Sequence, residues 1–143
     1  MLSNSSKYAL NAVLYLAVHS TYSKKILATE ISEATKIPKA YLSKLMQELT
    51  RHNLISSLRG PHGGFYLTDE NRKVSLLEVI TVIDGDNRLT SCMLGLHKCD
   101  KDNPCPIHHL VGEAKTKFVK NMKQTTVQDL VSDIKEGKSF LHL

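Results

Sequence analysis

The residues best equipped for chemistry are gathered in one short stretch. All three cysteines of the chain, Cys92, Cys99 and Cys105, fall within Ser91 to His109 in a C-x6-C-x5-C pattern. Two residues separate Cys105 from His108, and His109 follows at once. Thiolate and imidazole are the donors that zinc and iron–sulfur clusters take, so the pattern names Cys92, Cys99, Cys105 and His108 as a ligand set, with His97 as a weaker candidate. The segment is polar, is broken by Gly95 and Pro104, and has no strand or helix period before Pro104. A structureless loop of that length inside a compact domain is usually functional or disordered. Cysteine is normally a buried residue, so three of them in a polar loop call for another explanation. Four readings stay open. The loop holds an iron–sulfur cluster; it holds structural zinc, whose usual ligand gaps of about two to four residues are shorter than these; its thiols form a reversible disulfide without metal; or the cysteines are structural. His108 is equally readable as a ligand or as one of an exposed histidine pair at a helix start. The chain has no C-x-x-C pair, Ser–His–Asp arrangement, paired carboxylates or phosphate loop, so nothing marks it as an enzyme.

The elements that must position this loop are legible from periodicity. Tyr8 to Ser20 reads as a helix apolar on most sides, with Leu10, Val13, Leu14 and Ala17 at helical spacing, and such a helix is buried on most sides. A short helix follows over Ala28 to Thr35. Pro38 then favours a new helix start, from which Leu42, Leu45, Met46 and Leu49 form an inward stripe. The outer face of that helix carries Lys39, Ala40, Ser43, Lys44 and Gln47, and Asn53 is placed to end it in a left-handed cap. Leu54 to Leu58 and Gly64 to Thr68 read as strands joined by Arg59-Gly60-Pro61-His62-Gly63, a run of turn residues. Two helices across a tight turn, followed at once by a hairpin with a cationic tip, form a winged helix-turn-helix. In that arrangement the second helix enters the major groove of double-stranded DNA and the wing reaches a neighbouring groove or backbone. Arg59 can pair with phosphate or a base edge, and the glycines let the main chain approach phosphates.

Ser75 and Glu78 form a capping box for a helix that Asp84-Gly85 stops. Beyond the loop, Asn103 as cap and Pro104 in the first turn predict a long helix through about Lys123, a start that would place Cys105 near a helix N-terminus and favour its thiolate. Ile107, Val111, Ala114, Phe118 and Met122 form one stripe along it, which nothing nearby in sequence covers. The expectation is a second copy of the chain packed there; the alternative is packing within the chain on the first helix, and the two are compatible. Thr126 caps a last short helix that ends at Glu136-Gly137, and Lys138 to Leu143 is a tail. The fold class is therefore mainly α with a small β-hairpin: a winged helix-turn-helix with a long C-terminal dimerisation helix. Its expected divisions are 1–85 for DNA binding, 86–104 for the cysteine loop and 105–143 for dimerisation and the last helix.

Charge agrees with this division. The net charge is +5, and all of it lies between Met1 and Lys73, while Val74 to Leu143 is neutral. A basic first half suggests a nucleic-acid partner. A hydrophobic fraction of 41% argues against disorder. An odd cysteine count, with no signal peptide and no apolar run near ~20 residues, implies a cytoplasmic protein without a membrane partner.

In this order the parts resemble the BadM/Rrf-type bacterial regulators. The resemblance runs from Lys7-Tyr8-Ala9 to Thr126-Val127-Gln128-Asp129-Leu130. It is most specific at Tyr41-Leu42, at the wing sequence RGPHGGFYLT (Arg59 to Thr68), at the SLLEVITVIDG helix and at the three-cysteine loop before a long helix. It implies a homodimeric transcriptional regulator, a repressor in many members, on a palindromic operator. Its implied DNA contacts are Lys39, Ala40, Tyr41, Ser43 and Lys44 in the recognition helix and Arg59, Gly60, Pro61, His62 and Gly63 in the wing. It further implies that the loop senses redox, iron–sulfur or nitric-oxide status through a cluster held by Cys92, Cys99 and Cys105. In the IscR-type branch a histidine at the offset of His108 completes a [2Fe-2S] site. The branch with [4Fe-4S] uses an aspartate near the N-terminus of the partner subunit, and Lys7-Tyr8-Ala9 offers no acid there, so [2Fe-2S] is favoured over [4Fe-4S]. Two departures stand. Six residues separate Cys92 from Cys99 where five are expected, and Ala40 and Ser43 replace a serine and a glutamate, so the operator sequence does not carry over.

Overall fold

Small side chains at one-turn intervals decide the architecture. Ala9, Ala12 and Ala17, together with Val13 and Leu16, leave the first helix smooth on several sides, so neighbouring helices approach it closely and all five residues are buried. A computed structural model describes residues 2–96 and 100–143. Its elements in chain order are α1 (Asn4–His19), α2 (Ala28–Thr35), α3 (Lys39–Arg51), β1 (Ser56–Leu58), β2 (Gly64–Tyr66), α4 (Asp69–Arg72), α5 (Leu76–Asp84), α6 (His108–Gln124) and α7 (Val127–Lys135). Helix α1 runs through the middle, packed by α2, α3, α5 and α7. Ile31, Ile37, Leu42, Met46, Leu49, Ile55, Val79, Val127 and Val131 close the core around it. Among the described residues no helix is long and apolar enough to cross a membrane.

The winged helix-turn-helix is present as the pattern predicts. Lys36 turns the chain in the left-handed region at φ 59°, Ile37 plugs the turn into the core, and α3 starts one residue after Pro38. Asn53 takes the left-handed conformation at φ 58°, and the Leu54 N–H reaches back to the Leu49 carbonyl at 2.9 Å, the bond that closes a Schellman cap. Strands β1 and β2 pair antiparallel with Ser57 opposite Phe65. They are shorter than the periodicity predicts because Leu54, Ile55 and Leu67 at their bases turn into the core. Ile26 adds a single bridge to Phe65 on the other side of β2.

Other elements depart from expectation. Helix α1 begins at Asn4 rather than Tyr8, with Ser3 as a side-chain cap on the Ser6 N–H. The one-turn helix α4 was not foreseen. The long helix does not start at Asn103-Pro104. It starts at His108, and Ile107 caps it without a side-chain bond. Pro104 and Pro106 bracket Cys105, and a residue before proline is held out of the helical region, so no helix can propagate through Asn103 and Cys105. The last helix matches expectation: Thr126 accepts from the Asp129 N–H and forms a capping box. Helix α7 packs against α1 and α4, and Ser75 and Thr126 pair across an isolated bridge, so the end of the chain completes the core of its beginning.

Asn71, buried in α4, fastens the wing to the recognition helix. Its Nδ2 donates to the Asn53 carbonyl at 2.8 Å, while its Oδ1 accepts from the Ser56 hydroxyl at 2.8 Å and from the Thr68 N–H at 2.9 Å. One amide thus joins the end of α3, the start of β1 and the exit of β2. Truncating it leaves buried donors and acceptors unpaired, at a cost of about 2–3 kcal/mol. Asn71→Ala should lower the melting temperature by roughly 5–10 °C in a thermal scan; an unchanged midpoint would show that water replaces these bonds without penalty.

Candidate metal centre and nucleic-acid interface

The loop leaves α5 at Gly85, which has φ 85°, and its first part is packed rather than free. Leu89 and Cys92 are both buried. The Lys115 ammonium, from the second turn of α6, donates to the carbonyls of Thr90 and Ser91 at 2.8 and 2.7 Å. That lysine ties the chain just before Cys92 to the helix just after Cys105. The two thiols are brought together as a result, with their sulfurs 4.0 Å apart, both unbonded. Cys99 and His97 lie outside the described residues.

Cys105 is not the cap of α6, but its carbonyl accepts from the His108 N–H at 2.9 Å, which places the two residues in one turn. The half-buried His108 ring lies over Gly112, whose missing Cβ would sit 3.8 Å from His108 Cδ2 and Nε2. It stands edge-on to His109 with ring centres 5.7 Å apart. Cys92, Cys105, His108 and His109 line one hollow of about 630 Å³ between the loop and α6, with Lys101, Ile107 and Val111 among its other walls. The thiol on which backbone amides converge is Cys92. The N–H groups of Leu96 and then Leu94 hold it below its ordinary thiol value, and burial opposes them. The Cys105 hydrogen bond and the Lys115 charge add to the lowering.

Among the described residues, which do not include Cys99, no three His, Cys, Asp or Glu side chains stand close enough together to hold a metal ion. The donors that are described fit a thiolate-ligated group. Two thiolates at ~2.3 Å from one tetrahedral metal lie about 3.8 Å apart, close to the observed 4.0 Å. A half-buried imidazole one turn from Cys105 adds a nitrogen donor that iron–sulfur and zinc sites both accept.

The second surface carries the basic residues. On α3, Lys39, Ala40 and Lys44 are exposed, while Ser43 is half-buried and donates its hydroxyl to the Lys39 carbonyl at 2.9 Å. Tyr41 is held from behind: its hydroxyl is hydrogen-bonded with Ser5 of α1, and its ring meets Tyr8 edge-on at 5.8 Å. In the wing, Arg59, Gly60, Pro61 and His62 are exposed. Gly63 is required by the fold itself, since a Cβ there would lie 2.3 Å from the Leu58 carbonyl oxygen. Gly60, at φ 105°, has open space around it. Beside the wing, Lys25 lies 4.8 Å from the Tyr22 ring centre and 5.2 Å from that of Tyr66, a cluster that sequence reading missed because Tyr66 is distant in the chain from the other two. Lys115 was missed for the same reason.

Known proteins share this fold. Residues 2–133 match the family described as "Rrf2: Iron-dependent Transcriptional regulator". An HTH-type transcriptional regulator assigned in Aquifex aeolicus is 35% identical over 92% of either chain. The regulator IscR of Sodalis glossinidius is 33% identical over 92% of this chain and 79% of its own. Among solved structures, CymR, the global cysteine regulator of B. subtilis, superimposes with a TM-score of 0.75 over 92% of this chain and 96% of its own at 21% identity. The IscR of T. potens does so with a TM-score of 0.71 over 98% and 92% at 21% identity. These two establish the fold, and the family match covers the fold, the wing and the cysteine loop together. The chain belongs to the Rrf2 family of transcriptional regulators, which are DNA-binding proteins and not enzymes.

Proposed function

We propose that the chain is a homodimeric regulator that binds a palindromic operator and senses redox, iron–sulfur or nitric-oxide status through a [2Fe-2S] cluster held by Cys92, Cys99, Cys105 and His108. The observation that carries this is the convergence of two free thiols 4.0 Å apart with His108 on one hollow. An imidazole among the donors favours [2Fe-2S] over an all-thiolate cluster. When bound, the group supplies a redox-sensitive cross-link between the loop and the start of α6. Cys92 enters that link from the loop, with its thiolate favoured by the Leu96 and Leu94 amides; Cys105 and His108 enter it from the turn that begins α6. Lys115 holds the loop in register when the link is absent.

A second copy is supported by α6 itself. No residue of this helix is buried, Leu110 is 79% exposed, and the stripe of Ile107, Val111 and Phe118 stays only half-covered. Such a stripe on two copies makes a self-complementary two-fold seam, and the two recognition helices then read half-sites about one helical turn apart. A change at the loop shifts the population of dimer geometries, and with it operator affinity.

Two outcomes are expected. Arg59→Ala and Lys44→Ala should each weaken binding to a selected operator, and should lower the slope of log affinity against log salt by about one where a phosphate contact is lost. Unchanged affinity and slope for both would remove α3 and the wing from the interface. Protein purified without oxygen, with iron and sulfide counted, should differ from chelator-treated protein in operator affinity at one salt concentration. Equal affinity and equal salt dependence in the two forms would end the sensing proposal.

A further inference from the structure

The same two thiols point to a second chemistry of the site, one that uses no metal. We infer that in the metal-free chain Cys92 and Cys105 are the pair that closes into an intramolecular disulfide on exposure to a peroxide, and that this bond blocks the site against cluster uptake until it is reduced. The inference rests on the placement of the ligands proposed above, but not on a cluster ever being bound.

Geometry brings the two described cysteines together. The sulfurs stand 4.0 Å apart, hydrogen-bonded but not covalently joined, and a disulfide requires ~2.05 Å, so closure needs a sulfur displacement of about 2 Å. The approach is already arranged by Lys115, which holds Thr90 and Ser91 against α6, and by the Cys105 carbonyl, which is fixed by the first N–H of that helix. The two cysteines differ in exposure. Cys92 is buried, and Cys105 is half-buried on the wall of the open hollow. Both sulfurs line the hollow, and of the two Cys105 is the more accessible to a peroxide. Its thiol sulfur takes an oxygen from the peroxide, giving a sulfenic acid and one water. The Cys92 sulfur then attacks that sulfur, the S–O bond breaks, the oxygen leaves with the Cys92 proton as a second water, and the S–S bond forms. Two thiols are oxidised by two electrons and one hydrogen peroxide is reduced to two waters.

The consequence for the site follows from counting donors. The disulfide removes two of the three thiolates that the loop offers, and what remains is Cys99 with His108. A closed chain can keep the start of α6 tied to the loop, but it cannot ligate. Peroxide thus converts an empty site into a locked one, distinct from one that has merely lost its metal.

The chain is built for a clear test. Arg88, Lys98, Lys101 and Lys115 place the three cysteines in three separate tryptic peptides, so mass spectrometry resolves every pairing. Full-length protein, freed of metal by a chelator and reduced, is treated with stoichiometric hydrogen peroxide, alkylated and digested. The expected result is a dominant link between the peptides of Cys92 and Cys105, with Cys99 alkylated. Cys99→Ser should keep the link, and Cys92→Ser or Cys105→Ser should abolish it, with circular dichroism confirming that each variant is folded. Oxidised protein should take up no iron or sulfide on reconstitution and should regain uptake after dithiothreitol. A dominant link through Cys99, a link between chains, or no link at all would overturn the inference, as would full iron uptake by the linked protein. Should reduced protein take up no iron, the sensing proposal fails while the peptide map still decides the pairing.

Discussion

The structure depends on a helix that is surrounded on nearly every side and held at both ends by charge. Helix α1 carries its small residues inward, and burying it leaves the orphan N–H groups of its first turn and the orphan carbonyls of its last turn to be satisfied by something other than water. Asp84, at the end of α5 and 9% exposed, accepts from the hydroxyls of Ser3 and Ser6 at 2.6 and 2.7 Å and brings a negative charge to the positive end of the helix. At the other end the Arg72 guanidinium donates to the Ala17 carbonyl at 2.8 Å, and the Ser20 hydroxyl donates to the Leu16 carbonyl at 2.6 Å. An acid at the N-terminus and a base at the C-terminus complement the helix dipole. The arrangement matters beyond α1, because Asp84 is the last residue before the loop and Arg72 lies in the turn that carries Asn71.

The winged helix-turn-helix was legible because its signals are local. A proline beside a helix start, an Asn at a left-handed cap and a Gly-rich turn between two short strands each act within a few residues of where they stand. The apolar stripe Leu42, Leu45, Met46 and Leu49, all buried, fixes which face of α3 remains outside, and so exposes Lys39, Ala40 and Lys44. What was not legible is what joins these pieces. Asn71 carries no local signal, yet it is buried and bonded to three segments. Periodicity carries no information on a side chain whose partners lie 15 and 18 positions away.

The candidate site was legible in composition and less so in form. Three cysteines and a histidine announce ligands, and the structure brings Cys92, Cys105 and His108 to one hollow. The error lay in the cap. Asn103-Pro104 has the residue types of a helix start, but a second proline at Pro106 keeps Cys105 extended and delays α6 to His108. That delay gives the site its shape, since a helix from Pro104 would have turned Cys105 into its first turn. Instead Cys105 sits in the bend ahead of the helix, within reach of Cys92. The burial of Cys92 was likewise hidden, because it comes from packing and from the tie made by Lys115, twenty-three positions along the chain.

Proximity between the loop and the recognition helix is a matter of one side chain on each side of α1. Arg88, in the loop, approaches the Asp84 carboxylate at 3.9 Å; Asp84 binds Ser3 and Ser6; Ser5, between them, is bonded to the Tyr41 hydroxyl in α3, and Tyr8 stands against the same ring. A run of contacts is not in itself a coupling. This one has physical content because Asp84 serves two masters, the first turn of α1 and the start of the loop. A displacement of the loop that draws Arg88 away changes the charge balance at the carboxylate that orients Ser3 and Ser6, and those residues flank the hydroxyl that holds Tyr41. Tyr41 is in the first turn of the helix whose exposed face carries Lys39, Ala40 and Lys44. The contacts thus run from the start of the loop to the first turn of α3 within a single chain, along α1 itself.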